Sequence, residues 1–340
     1  MTLPSATLPE SASRPALWPY VKIARIDHWF KNSFMLLGVL LAIFYQAGSI
    51  DWANPWPSLG RIALAFFALC LVASGNYVIN ELLDGPSDRM HPEKRSRVVP
   101  SGLVRPKLVY LEWLALSGLG ISLGLLINPA FTGALVALWV MGIIYNVPPV
   151  RSKELPYIDV LTESINNPIR LFLGWFAVIP DRIPPMSLIL AYWMAGAFFM
   201  GAKRYAELRH IGDRRVAALY RKSFRHYTEE NLLVSLFFYA TSCALFAGIF
   251  MVRYHLELIA FVPVAAGFFA FYLKLSLKPD SPVQNPERLY KEKLFFAYAV
   301  ACLVIFVLLM FTSIPPLYRA FNVEPSRAGV LWTLGGSEGQ

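Results

Sequence analysis

Charge is scarce in this chain. Only 16% of its 340 residues are Asp, Glu, Lys or Arg, while 56% are hydrophobic and the mean hydropathy is +0.48. A soluble protein of this length exposes far more ionised surface, so an ordinary globular enzyme is excluded. Cysteine is nearly absent. Cys70, Cys243 and Cys302 fall inside apolar stretches without metal-ligand spacing, and they read as small core residues. The long apolar runs lack the strict alternation of apolar and polar residues that a membrane β-barrel requires. Residues 1–17, rich in Pro, Ser and Ala, lack the charged-then-apolar pattern of a signal peptide and are expected to be a mobile cytoplasmic tail. A similar tail is expected over 316–340.

What the chain does have is a series of apolar runs of bilayer-spanning length. Nine are countable, at about 33–50, 61–80, 108–128, 130–146, 157–179, 186–203, 232–253, 256–275 and 293–314. They predict an all-α polytopic membrane protein, with one transmembrane domain over 18–315. Net charge is +9, and the basic residues crowd the N-terminal arm (Lys22, Arg25, Lys31), then 89–107, 151–153, 203–225 and 274–293. Intervening loops are nearly free of them. That alternation places the N-terminus and the basic loops in the cytoplasm and the C-terminus outside, as expected of a multi-pass inner-membrane protein. Topology and contact with anionic membrane lipids then explain each basic cluster, with no nucleic acid as partner. No basic residue is marked as functional by charge alone, and oligomeric state is not legible.

The acids need a different explanation. In NELLDGPSDRMHPEKRSR (80–97), Asn80, Asp84 and Asp88 are spaced four and four, which on a continuous helix puts them on one face. Carboxylates so placed repel unless a cation lies between them. Mg²⁺ suits the set, since it takes one or two carboxylates and completes its shell with water and phosphate. Gly85-Pro86 is expected to end or kink the helix, with Asp88 brought back by a turn. Lys94, Arg95 and Arg97 follow as donors for a diphosphate. A solvated loop that only fixes topology accounts for these cations but not for the spaced acids.

A second polar region spans 203–230. Lys203, Arg204 and Glu207 form an i, i+3/i+4 set, and Arg221, Lys222, Arg225 and Tyr227 another, although an amphipathic surface helix fits the same pattern. Both regions follow even-numbered runs, so a single site roofed by both is expected. RIDHWFKN places Arg25, His28, Trp29, Lys31 and Asn32 at the mouth of the first run, where Trp and Lys ordinarily anchor at the interface. ESINNPIRLFLGW puts Glu163, Asn166, Asn167 and Arg170 at membrane depth, where ionisable residues face a cavity or each other; Glu163 and Arg170, seven apart, could share a helix face, and a purely structural buried pair is the bland alternative.

The Asn80, Asp84, Asp88 spacing resembles the NxxxDxxxD motif of the UbiA superfamily of intramembrane prenyltransferases, and nine runs match its nine-helix bundle. Within that superfamily, HPEKRSRVVPSG (91–102) resembles the HPxKRxRPxxxG run of the decaprenyl-phosphate phosphoribosyltransferase branch. RIDHWFKN resembles that branch's RPxQWxKN opening, KRYAEL and RKSFRHYT its sixth cytoplasmic loop, and PIRLFLGW its FxLRxxxG. The resemblance covers about 20–315. The second motif of the aromatic prenyltransferases, DxxxD, has no counterpart, only Glu207 and Asp213. Glu81 in place of Asp, Val99 in place of Pro, and Gly85-Pro86 are departures, and YNVPPVRSK (145–153) looks more like the YSxPP loop of other members.

The resemblance implies Mg²⁺-dependent transfer of a 5-phosphoribosyl group from phosphoribosyl diphosphate to a polyprenyl phosphate. Asp84 and Asp88 would hold the metal and Asn80 orient it, with Lys94, Arg95 and Arg97 on the donor's phosphates. Lys31, Arg170, Lys203 and Arg204 would hold the lipid phosphate, and Glu207 would position Arg204 or the ribose hydroxyls. The product would feed D-arabinosyl donor synthesis for an envelope glycan or a nodulation factor. A prenyltransferase acting on an aromatic or other small acceptor, and a transporter, are the competing readings.

Overall fold

The computed structural model describes residues 17–89, 94–284, 286–324 and 331. Its elements are helical: α1 (Leu17–Ile23), a 3-10 segment (Ile26–Phe34), α2 (Met35–Tyr45), α3 (Trp56–Asp88), α4 (Pro106–Leu125), α5 (Pro129–Asn146), α6 (Ile158–Ser164), α7 (Asn166–Phe176), α8 (Met186–Ile211), α9 (Arg214–Tyr220), α10 (Glu229–Tyr254), α11 (Val262–Ser276), α12 (Lys293–Met310) and α13 (Pro315–Ala320). Among the described residues, eight segments are long and apolar enough to cross a membrane: Leu17–Tyr45, α3, α4, α5, α8, α10, Leu256–Ser276 and α12.

The run at 157–179, expected as one of nine spans, is not among these eight: it forms two consecutive helices that meet at Ile165. α6 has seven residues and α7 eleven, each well below the roughly 20 that cross a bilayer. Pro168 accounts for the break. It has no N–H for the Ser164 carbonyl, and its ring crowds that oxygen, so α6 stops there and α7 begins two residues on. The Asn166 amide donates to the Glu163 carbonyl at 3.0 Å, satisfying one group freed by the break.

The expected break at Gly85-Pro86 does not occur. α3 continues through Pro86 to Asp88, and the Arg89 N–H still donates to the Gly85 carbonyl at 3.2 Å. Pro86 sits in the last turn, so it forfeits a single ladder bond where few remain to be lost. Gly85 has a packing role: a Cβ there would come within 2.8 Å of Val99 Cγ1. The two departures at these positions therefore fit each other across the loop that follows α3.

The N-terminal arm runs antiparallel along α3. Arg25 lies 3.7 Å from Glu81, His28 stands edge-on to Tyr77, Trp29 Nε1 donates to Ser74 Oγ at 2.9 Å, and Asn32 Nδ2 reaches Cys70 Sγ at 3.2 Å. Trp29 thus hydrogen-bonds inside the bundle rather than only anchoring at an interface. α2 then packs against α7 with almost no separation. A Cβ on Gly174 would lie far inside van der Waals contact with the Met35 carbonyl oxygen, and one on Gly38 would strike the Leu171 carbonyl. This approach brings Arg170 to Asn32 (Nε to Oδ1, 3.1 Å). Gly174→Ala is expected to destabilise the protein by about 1–3 kcal/mol, against no measurable effect for Gly60→Ala, whose Cβ meets nothing within 4 Å. Thermal unfolding in detergent checks the contrast.

Candidate active site

The ends of α3, α5 and α8 meet the loop 147–157 and the segment 212–228 in one belt of ionised groups. Asp84 is its pivot. A single oxygen, Oδ1, accepts from Lys153 Nζ at 2.6 Å and from Arg151 Nη2 at 2.8 Å. Lys153 also donates to Asn146 Oδ1 at 2.9 Å, and that oxygen in turn receives the Asn80 amide. Asp88, one turn beyond Asp84, is buried and accepts from Arg97 Nη1 at 2.8 Å.

Arg151 adopts a left-handed backbone, φ 35°, which costs a non-glycine residue about 1–3 kcal/mol. Its side chain supplies the restraint, reaching Glu154 (2.7 Å), the Asn146 carbonyl (3.4 Å) and Asp84 at once. The same loop receives the second polar region. Arg221 Nε donates to the Lys153 carbonyl at 3.2 Å, its Nη2 to the Tyr145 hydroxyl at 2.8 Å, and Lys222 pairs with Glu154 at 2.8 Å.

Arg204 closes the belt. Each of its nitrogens serves a different carboxylate: Nε to Asp159 (3.2 Å), Nη1 to Glu207 (2.9 Å) and Nη2 to Glu163 (2.6 Å). Asp159 is fully buried and is also bonded by Tyr227 and Arg221. Among the described residues, six cations (Arg97, Arg151, Lys153, Arg204, Arg221, Lys222) therefore face six carboxylates (Asp84, Asp88, Glu154, Asp159, Glu163, Glu207). At rest the belt neutralises itself.

The sequence-predicted residues divide accordingly. Asn80, Asp84, Asp88, Arg97, Arg204 and Glu207 lie in the belt. Arg95 is exposed, and the side chain of Lys94, like residues 90–93, lies outside the described residues. Lys31 is half-buried, its ammonium 5.9 Å from the Phe30 ring centre. Lys203 is half-buried on α8 and has no hydrogen bond or ion pair among the described residues. Glu163 and Arg170 do not pair with each other: Glu163 binds Arg204 and Tyr145, while Arg170 binds Asn32 and the Asn166 carbonyl. Sequence reasoning did not single out Asn146, Arg151, Lys153 or Asp159. The signal was available in YNVPPVRSK, whose two cations were attributed to topology.

These features define a membrane-embedded helical protein whose ionised chemistry is gathered at one end of the bundle. A profile of the UbiA prenyltransferase family matches residues 34–298. Over 213 residues the chain is 30% identical to a decaprenyl-phosphate phosphoribosyltransferase of Mycobacterium tuberculosis, covering 62% of this chain and 67% of that one. It is 31% identical over 207 residues to the nodulation protein NoeC of Azorhizobium caulinodans, covering 59% and 61%. Its fold matches a UbiA homolog from Archaeoglobus fulgidus bound to GPP and Mg²⁺, with a TM-score of 0.61 at 18% identity, covering 84% and 99%. The chain belongs to the UbiA prenyltransferase family, and it is a multi-pass membrane transferase.

Lys153 gives the resting belt a titration signature. Burial pulls its pKa from 10.5 down to about 8, helped by Arg151 and Arg221 and opposed by Asp84. Between pH 8 and 10.5 the folded chain has released a proton that the unfolded chain still holds, so stability rises with pH across that window. Lys153→Met is expected to flatten this rise. Melting temperatures of both proteins, measured from pH 7.5 to 10 without divalent cation, check it.

Proposed function

We propose that this protein transfers the 5-phosphoribosyl group of phosphoribosyl diphosphate to a polyprenyl phosphate, in support of D-arabinosyl donor synthesis. One observation carries the reading: three cations, Arg97, Arg151 and Lys153, rest on the two spaced carboxylates Asp88 and Asp84. The relative named as a decaprenyl-phosphate phosphoribosyltransferase supports it, as do the four separated sequence matches to that branch.

The donor set fits a divalent metal. Asp84 and Asp88 are one turn apart on an unbroken helix, and each keeps one carboxylate oxygen without a hydrogen bond among the described residues. Asp84 and Asp88 would hold Mg²⁺, with Asn80 beside them, and the ion would supply positive charge to the donor's diphosphate. Arg151, Lys153 and Arg97 would bind the donor's phosphate oxygens, joined by Lys94 and Arg95. The bond from C1 of the ribose to the diphosphate oxygen breaks, and a bond from C1 to a lipid phosphate oxygen forms. As C1 gains oxocarbenium character, negative charge grows on the departing diphosphate, where fixed cations stabilise it most. The lipid phosphate is already an anion, so no general base is required. Glu207 holds Arg204 in place, and Lys203 extends the positive rim. The basic loops support a site on the cytoplasmic face of the inner membrane.

The Archaeoglobus homolog bound to GPP and Mg²⁺ favours a second reading, prenylation of a small acceptor from a polyprenyl diphosphate. Membranes given labelled phosphoribosyl diphosphate and polyprenyl phosphate separate the two. A labelled phosphoribosyl lipid is expected, with kcat/KM reduced about 100-fold or more in Asp84→Ala. Absence of that lipid, alongside prenylation of an aromatic acid, contradicts the proposal.

A further inference from the structure

Glu81 follows Asn80 directly, which turns it about 100° around α3 from that residue. It is a buried carboxylate, 3% exposed, yet it takes no part in the belt. Its two oxygens go to two different segments. Oε1 accepts from the Val99 N–H at 3.3 Å, and Oε2 lies 3.7 Å from Arg25 Nη2. Among the described residues, no cation of the belt reaches either oxygen.

Each partner belongs to a larger unit. Residues 97–103 form a turn closed on itself: the Ser101 N–H donates to the Arg97 carbonyl at 3.1 Å, Gly102 to Val99 at 3.0 Å, and Leu103 to Val98 at 3.4 Å. Fixing one N–H of such a turn fixes the rest of it, including Arg97, whose guanidinium donates to Asp88 at 2.8 Å. Val99 also packs directly on Gly85. On the other side, Arg25 has a left-handed backbone, φ 50°, and its guanidinium stands 5.8 Å from the Tyr77 ring centre. A non-glycine residue keeps that conformation only where its surroundings over-determine it, and Glu81 with Tyr77 supplies the restraint. Arm and turn meet again at Tyr20, whose hydroxyl accepts from the Arg105 N–H at 3.1 Å, and in a cluster of Ile23, Val78, Val99 and Val104. The arm, the turn and α3 are one assembly, with Glu81 at its centre.

We infer that Glu81 is a positioning residue for the donor site. It touches neither metal nor phosphate; it docks the 97–103 turn so that Arg97 stands over Asp88. Arg25 supplies the counter-charge that a buried carboxylate requires. Side-chain length sets the contact. An Asp at this position is one methylene shorter, which draws the carboxylate back by about 1.5 Å. The Val99 N–H, already 3.3 Å away, is then out of hydrogen-bond reach. This deepens the proposed function and rests on it for Arg97 as a ligand of the donor's diphosphate.

Calorimetric titration of the detergent-solubilised full chain with inorganic diphosphate, in the presence of Mg²⁺, tests it. Glu81→Asp is expected to weaken diphosphate binding about tenfold or more, but by no more than about twofold once Arg97→Met is present. A residue that only stabilised the fold would cost the same factor in both backgrounds. Glu81→Gln keeps the length and an acceptor but loses the charge that faces Arg25. It is expected to lose about threefold, again only where Arg97 is present, and it carries the comparison if Glu81→Asp does not fold. Equal losses in both backgrounds, undiminished affinity in Glu81→Asp, or no diphosphate binding by the unaltered chain overturns the inference. Failure of the function itself reads differently. Binding that follows these expectations, with no phosphoribosyl lipid formed and a prenyl diphosphate consumed instead, rejects the proposed donor and leaves the role of Glu81 standing.

Discussion

Lys153 and Arg151 both reach one oxygen of Asp84, across nearly 70 residues of chain, and the rest of the polar architecture is arranged around that contact. Burying an ammonium ion beside a bilayer is expensive, and the expense is offset only where a carboxylate and further acceptors surround it. Asp84 and Asn146 provide them. The requirement draws the loop after α5 onto the end of α3 and holds Arg151 in a left-handed turn. Once in place, the loop offers the Lys153 carbonyl and Glu154 to Arg221 and Lys222, and so joins α3 to the segment that precedes α10. Two acid-bearing regions far apart in the chain become one site because this loop lies between them.

The belt also accounts for how the proposed phosphate site remains stable without its ligands. Under the proposed function, Arg97, Arg151 and Lys153 rest on Asp88 and Asp84, the acids that would hold the metal. Ligand binding would then exchange partners for these groups rather than strip charges bare, which keeps the desolvation cost low in either state. Arg204 stands apart from this exchange. Three carboxylates occupy it fully, so it fixes α6 against α8 and leaves anion binding to the cations around it.

The helical architecture and the acidic face of α3 were legible because both depend on residue spacing, which the helix period converts directly into geometry. Asn80, Asp84 and Asp88 lie as their interval of four requires. Pro86 misled because its cost depends on how much helix follows it, and here that is two residues. Pro168 was the converse. It lies inside an apolar run long enough to span, and length alone concealed a break that a proline four residues after Ser164 dictates. Glu163 and Arg170, seven residues apart on either side of it, find different partners. Arg151 and Lys153 were hardest to read, since they act from a non-helical turn where no periodicity applies, and their charge had a sufficient explanation in topology.

A double-mutant cycle on Lys153→Met and Arg221→Met, read as kcat/KM for phosphoribosyl diphosphate, tests most directly whether the two polar regions act as one site. The two side chains never share a carboxylate; they are joined through the loop backbone and its acids. A coupling energy of at least about 1 kcal/mol is predicted. Effects that add to within about 0.5 kcal/mol would show two independent regions and contradict the account.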